Sequence, residues 1–301
     1  MTASRSTETS PSGPGLLDRM RHWAILRIVV QAAAAVAVVA VSSRVLSLFV
    51  PAATSPLHDA FAMGRNLIVA ALALGAYALL VRGMEKRPAR EIAIWPGLIQ
   101  FPAGLVVGAG MMAAVYGVLY LMKLAVFGVG TGWDGITVGF VVALLAAVFE
   151  ELLLRAVLFR ILEQACGTTV ALLVSAAVFG LLHSFNHGAT PFSDLAIALE
   201  AGLMLALAYA VTRNLWLAIG IHAGWNFTEG NVFGAQVSGG SVSHSLIHST
   251  LTGPLTFTGG SFGPEASMIS IGVSAVVSLV FVVLVLRQRG WKPMGFRLAV
   301  D

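Results

Sequence analysis

Two adjacent carboxylates and a guanidinium interrupt an apolar stretch in the middle of the chain. The stretch is VFEELLLR, residues 148–155, and Glu150 and Glu151 are the only charged side chains between positions 136 and 154. On a helix, Glu151 and Arg155 are four residues apart and share a face, so they can form an ion pair. Glu150 points about 100° away from Glu151 and needs another partner or another task. We interpret Glu150 as a residue that does chemistry, because a structural ion pair requires only one glutamate.

Two further motifs place polar side chains four residues apart in apolar surroundings. FGLLH contains Phe179 and His183, and HAGWN contains His222 and Asn226. Each pair would lie on one face of a helix. Histidine and glutamate are the usual general acids and bases of enzymes. Together with Glu150, these side chains are candidates for acid–base chemistry, provided that the fold brings them together.

The composition identifies the surroundings of these residues as a membrane. Of the 301 residues, 57% are hydrophobic and 11% are charged, and the mean hydropathy is +0.88. A soluble domain has about 25% charged residues. We therefore predict an all-α polytopic membrane protein with the lipid bilayer as its main partner. The single cysteine, Cys166, excludes an intramolecular disulfide and a cysteine-rich metal site.

Eight apolar stretches are long enough to cross a bilayer, which requires about 20 residues. The predicted spans are 28–50, 66–82, 98–127, 136–163, 168–186, 193–211, 214–233 and 266–286. The third contains GLVVG, residues 104–108, a small-xxx-small pattern that favours close helix packing. The candidate chemistry falls in the fourth to the seventh span.

The basic residues predict an orientation for these spans. In an eight-span arrangement, all of the 18 Lys and Arg residues except Arg44, Arg65 and Lys123 fall on one side. The connection 228–265 contains no Lys or Arg. By the positive-inside rule, we predict a multi-pass protein of the cell membrane with both termini in the cytoplasm and this connection outside. The net charge is +4. Because the placement of the basic residues is explained by membrane topology, we expect no nucleic-acid partner.

The predicted spans place the candidate residues at similar depths. At 1.5 Å per residue from the cytoplasmic ends of their helices, Glu150 lies about 20 Å deep, His183 about 22 Å, and His222 and Asn226 about 12 and 18 Å. Modest tilt would let them meet in one cavity. A lone buried histidine is usually a packing residue, but two histidines, an asparagine and a spare glutamate at matching depth favour a functional site.

The three motifs, in this order on successive membrane helices, resemble the CPBP family, which includes the type II CAAX prenyl endopeptidases and bacterial relatives named for bacteriocin processing. The resemblance covers residues 136–233. The segment GGSFGPE, residues 259–265, is also similar to bacterial members. Membership implies an intramembrane endopeptidase that acts on a peptide or a membrane-associated protein.

The resemblance also implies roles for single residues. Glu150 would be the general base, and His183 would help to hold the attacking water. His222 and Asn226 would stabilise the oxyanion. The residues implied to support this constellation are Glu151, Arg155 and Phe179.

The same residues could also bind a metal ion. The family is often called a metalloprotease, and Glu150, His183 and His222 could ligate zinc with one open position. A glutamate-activated water without metal serves the same chemistry, and the sequence does not decide between the two. The motif His-Glu-x-x-His, which is typical of a different class of zinc proteases, does not occur in the sequence.

These considerations divide the chain into four predicted parts: a disordered cytoplasmic tail (1–23), N-terminal transmembrane helices (24–127), a CPBP-like protease core (128–286) and a basic cytoplasmic tail (287–301). Two other functions stay open. Intramembrane Glu and His also form ion or proton relays, which would make the chain a transporter. A non-catalytic scaffold or immunity protein of the same family would keep the motifs for folding. Glu200, a further charge within a predicted span, could line the cavity or gate substrate.

Overall fold

The apolar stretches form a bundle of helices in the computed structural model, which describes residues 23–288 and 290–295. Residues 1–22 of the predicted N-terminal tail, and residues 289 and 296–301 of the predicted C-terminal tail, lie outside the described residues. The helices are α1 (Ala24–Ser47), α2 (His58–Met84), α3 (Ile94–Leu121), α4 (Ile136–Cys166), α5 (Thr168–His183), α6 (Pro191–Thr212), α7 (Trp216–Phe227), the short α8 (Leu255–Thr258) and α9 (Met268–Arg287). The prediction of an all-α polytopic membrane protein is confirmed.

The lengths of the helices bear on the number of membrane crossings. Each of the eight predicted spans is largely helical, and six helices of the described chain are long and apolar enough to cross a bilayer: α1, α2, α3, α4, α6 and α9. Helix α5 has 16 residues, and α7 has 12 before a π-helical turn continues it. The count of eight spans is therefore not confirmed.

The predicted third span, 98–127, is too long at its C-terminal end. Helix α3 stops at Leu121, and Lys123 takes a left-handed backbone conformation with φ of 62°. The chain then enters strand β1 (Ala125–Val129), which pairs antiparallel with β2 (Ile247–Leu251). This ribbon joins the connection after α3 to the long connection after α7. The pairing is between distant segments, so the hydropathy of the third span could not show it.

Glycines on both helices bring α3 and α7 into backbone contact. Gly104 and Gly108 lie on one face of α3, and Gly220 and Gly224 lie on the facing side of α7. A methyl group added at Gly108 would overlap the carbonyl oxygen of Ile221. Small residues allow helices in a membrane to pack at short distance. This contact fixes the height and rotation of α7, which carries the HAGWN motif.

Three segments of the helices widen into π-helical turns, and each lies beside a glutamate. They are Leu152–Phe159 in α4, Ala198–Leu203 in α6 and Thr228–Val232 after α7. The first follows Glu150 and Glu151 directly, while Glu200 and Glu229 lie inside the other two. Such turns break the regular hydrogen-bond ladder and are frequent at functional sites.

Several of the basic residues that the topology prediction placed on one side meet at one end of the bundle, named here the basic end. Glu85, just after α2, accepts hydrogen bonds from Arg160 at 2.8 Å and from Gln31 at 2.6 Å, and Arg27 lies 3.0 Å away. Burial alone would raise the pKa of Glu85, but the hydrogen bond and charge of Arg160, with Gln31 and Arg27, outweigh it and lower the pKa to about 2. Arg213 pairs with Glu163 at this same end.

Candidate active site

His222 of α7 is hydrogen-bonded to the second glutamate of the EELLLR motif. Its Nδ1 lies 2.9 Å from Oε1 of Glu151, and the same oxygen accepts a hydrogen bond from Nη1 of Arg155 at 3.0 Å. Glu151 and Arg155 are fully buried. Since an ionised carboxylate only accepts hydrogen bonds, Nδ1 of His222 carries the proton in this contact. Glu151 therefore fixes both the guanidinium on its own helix and the imidazole of another.

Arg155 ties the constellation to two more helices. Its Nη2 donates to the carbonyl oxygens of Ala201 at 2.8 Å and Gly202 at 3.2 Å, both within the π-helical turn of α6. Its guanidinium carbon lies 4.7 Å from the centre of the Phe179 ring on α5. A buried guanidinium needs such partners to offset its lost hydration.

Glu150 approaches His222 from the other side of the imidazole ring. Its Oε2 lies 3.8 Å from Nε2 of His222, which is longer than a hydrogen bond. The side chain of Glu150 is 30% exposed, whereas that of Glu151 is 0% exposed. The two neighbouring glutamates thus differ: Glu151 is enclosed by fixed partners, and Glu150 is partly exposed, with an Oε2 that makes no hydrogen bond within the described chain.

His183 is held by the first residue of its own motif. Its Nδ1 lies 2.8 Å from the carbonyl oxygen of Phe179, and the two rings stack with centroids 4.8 Å apart. The Phe179 ring also meets the His222 ring edge to face, with centroids 6.2 Å apart. With Nδ1 donating to the carbonyl, Nε2 of His183 is left to accept a hydrogen bond.

The four residues with predicted catalytic roles line one cavity of about 510 Å³: Glu150, His183, His222 and Asn226. A smaller compartment of about 20 Å³ adjoins it, also lined by His183, His222 and Asn226. This volume suffices for a water molecule. The structure thus brings together side chains from α4, α5 and α7 that are far apart in sequence.

Glu200 lies at the smaller compartment and is buried, with Oε2 free of hydrogen bonds within the described chain. Of the two uses that the sequence left open for Glu200, its position favours lining. His187, four residues after His183, is exposed beyond the end of α5.

A second pair of acidic residues holds the wall of the cavity and was missed from the sequence. Oε1 of Glu265 accepts hydrogen bonds from the backbone nitrogen of Ser238 at 2.6 Å and from its hydroxyl at 2.7 Å. Oε1 of Glu229 accepts from the backbone nitrogen of Glu265 at 3.0 Å. Glu265 is the last residue of GGSFGPE. The similarity of this segment to bacterial members of the family was the only signal in the sequence, and it assigned no role to Glu265. Ser238 lines both compartments.

Glu150, His183 and His222, the residues that could ligate zinc according to the sequence, do not form a ligand cluster in the structure. Among residues 23–288 and 290–295, no group of three His, Cys, Asp or Glu side chains has the geometry to hold a metal ion. We therefore derive the chemistry from the side chains themselves. A carboxylate beside an open cavity, with imidazole and amide groups around it, can activate a water and stabilise a developing negative charge.

Comparison with known proteins agrees with the predicted resemblance. Residues 131–228 match the family model described as type II CAAX prenyl endopeptidase Rce1-like. The chain therefore contains an Rce1-like domain, and this domain includes the EELLLR, FGLLH and HAGWN motifs. At the family level, the match indicates a CAAX-protease-like hydrolase of the membrane. No curated protein and no solved structure matches the chain significantly.

Proposed function

We propose that this chain, with an Rce1-like domain over residues 131–228, is an intramembrane endopeptidase that hydrolyses a peptide bond of a membrane-associated protein or peptide. One observation carries the proposal: Glu150, His183, His222 and Asn226 line a single cavity. Its protease core comprises residues 128–286, with the helices of 24–127 packed around it.

In the proposed reaction, Glu150 is the general base. It takes a proton from a water that also donates a hydrogen bond to Nε2 of His183. The water oxygen then attacks the peptide carbonyl. Asn226 donates to the resulting oxyanion from its amide, and His222 donates from Nε2 when both ring nitrogens carry protons. Preorganised donors of this kind give the largest single contribution in many acyl-transfer enzymes.

Collapse of the intermediate completes the reaction. The bond between the carbonyl carbon and the amide nitrogen breaks, and Glu150 returns its proton to the leaving amine. Glu151 keeps His222 oriented through the 2.9 Å hydrogen bond, and Arg155 holds Glu151 in turn. Phe179 supports the rings of His183 and His222.

Purified protein in lipid nanodiscs provides the test. It would be incubated with unmodified and farnesylated peptides of otherwise identical sequence, and the products would be identified by mass spectrometry. We expect cleavage by the wild type and none by Glu150→Gln, which keeps the size of the side chain but cannot act as base. A wild-type rate in Glu150→Gln would contradict the mechanism.

The two alternative functions predict different results. A transporter would move ions across liposomes without cleaving peptides, and a scaffold would do neither. The open cavity beside Glu150 favours the peptidase, since hydrolysis needs room for a substrate at the base.

A further inference from the structure

The cavity that contains the candidate catalytic residues runs along the first turns of α4. Its lining residues on this helix extend from Gly135, just before the helix, through Val138, Val142 and Ala146 to Glu150. At 1.5 Å per residue, the distance from the start of α4 to Glu150 is about 21 Å. The cavity therefore leads from one end of the helix bundle to the middle.

The remaining lining residues identify which end is open. Asp59 lies in the first turn of α2, Asn186 follows α5, and Ser241 and His244 belong to the connection between α7 and β2. All of them belong to connections or helix ends at the end of the bundle where α2 and α4 begin. This is the end opposite the basic end, and it is named here the open end.

The path from Glu150 toward the basic end is filled. Leu152, Leu154 and Phe159 are at most 4% exposed, and Arg155 is fully buried among them. Arg160 lies ten residues beyond Glu150, or about 15 Å along the helix, and is already part of the ion-pair cluster of the basic end. A substrate can therefore reach Glu150 through the open end but not through the basic end.

We propose that the substrate is an extended polypeptide segment that lies outside the cytoplasm, and that it enters through the open end. This inference rests on the proposed function and on the charge asymmetry. The basic end carries Arg27, Arg87, Arg160, Arg213 and Lys292, and in bacterial and eukaryotic membranes such an excess marks the cytoplasmic side. The cavity of the Rce1-like domain thus opens on the side opposite the cytoplasm, and cytoplasmic proteins with lipid-modified C-termini would not reach it through the open end.

The charge of the cavity restricts the substrate further. Asp59 and Glu150 are the acidic residues of its wall, and the described lining residues include histidines but no Lys or Arg. A free C-terminal carboxylate close to the scissile bond would be desolvated near the like charges of Glu150 and Asp59 and without a Lys or Arg partner, which is unfavourable. We therefore expect cleavage within a chain rather than near its C-terminus, and we expect Lys or Arg beside the scissile bond to be preferred over Asp or Glu.

The first experiment measures access without any substrate. In a Cys166→Ser background, Ala146→Cys places a thiol in the cavity, and Gln164→Cys places one at the basic end as the matched control. A membrane-impermeant maleimide is added to right-side-out and to inverted membrane vesicles. We expect Ala146→Cys to react only in right-side-out vesicles and Gln164→Cys only in inverted ones. If Ala146→Cys does not fold, Ser241→Cys at the exposed mouth gives the same test.

Labelling of the cavity thiol only from the cytoplasmic side would overturn the inference. The second experiment adds an unmodified, membrane-impermeant peptide library to one face of the same vesicles, with Glu150→Gln as the inactive control. Cleavage from the outer face alone supports the inference. Cleavage from the cytoplasmic face alone overturns it and leaves the proposed function intact. Correct labelling without cleavage from either face contradicts the proposed function and, with it, this substrate assignment.

Discussion

Nδ1 of His222 donates a hydrogen bond to Oε1 of Glu151 at 2.9 Å, which joins α7 to α4 in the middle of the bundle. The other nitrogen of His222 faces Glu150 at 3.8 Å. One imidazole therefore lies between two consecutive residues of another helix, and only one of the two carboxylates is exposed to the cavity. We therefore expect mutations of the two adjacent glutamates to have different effects.

Loss of the carboxylate of Glu151 should destabilise the protein. Glu151→Ala leaves the buried guanidinium of Arg155 without its ionic partner and removes the hydrogen bond to His222. Removing one member of a buried ion pair typically costs about 3–5 kcal/mol. We expect a clear fall in the melting temperature of the detergent-solubilised protein, measured by intrinsic fluorescence.

Glu150→Gln is the matched control, because it changes the neighbouring carboxylate, which faces the cavity and makes no hydrogen bond shorter than 3.5 Å to His222. It should melt close to the wild type and lack peptidase activity. Equal losses of melting temperature in the two variants would contradict the different roles assigned to Glu150 and Glu151.

Asn226 should act on the rate of hydrolysis rather than on substrate affinity. It is half-buried and lines both compartments of the site. Removal of one oxyanion donor lowers turnover by about 10²–10³ in other enzymes. For Asn226→Ala we expect a fall in kcat of that order with KM nearly unchanged, since the hydrogen bond strengthens in the transition state. A rise in KM at constant kcat would place Asn226 in substrate binding instead.

The glycine contact between α3 and α7 should be sensitive to a single methyl group. Gly108→Ala would place a Cβ on the carbonyl oxygen of Ile221 and push α7 away. Since α7 carries His222 and Asn226, we expect lower thermal stability and lower activity together. Gly110→Ala on the same helix is the control, because its Cβ would meet no atom within 4 Å. Similar behaviour of the two variants would show that this contact does not position α7.

The ion-pair cluster of the basic end should lose stability in acid. Partners at Glu85 lower its pKa from 4.5 to about 2 in the folded protein. Because the folded-state pKa is the lower one, the stabilisation is fully present above pH 4.5 and is lost as the pH falls toward 2. Its size is on the order of 3 kcal/mol, since each pKa unit corresponds to about 1.4 kcal/mol.

Melting temperatures measured between pH 7 and pH 2 would test this expectation. Glu85→Gln should be less stable than the wild type at pH 7, and the difference should shrink through the acid range. A difference that stays constant with pH would contradict the assignment of this stabilisation to the ionised carboxylate.

The sequence by itself determined the class of the protein, the positions of most helices and the motifs of the site. Hydropathy and helical spacing are local properties, so they identified the apolar helices and showed that Phe179 and His183, or His222 and Asn226, share a helix face. They also showed that Glu151 can reach Arg155. The GLVVG pattern of α3 was recognised, but the sequence did not show that its partner is the glycine pair around His222.

Only the tertiary structure decided how these faces meet. The direction of a side chain depends on the rotation of its helix, and the π-helical turns after Glu151 and around Glu200 alter that rotation in ways that a regular spacing cannot express. The contact between Glu265 and Ser238 joins two connections without periodic signal. The open end of the cavity likewise arises where the starts of α2 and α4 meet the connection after α7, and those segments are far apart in the chain.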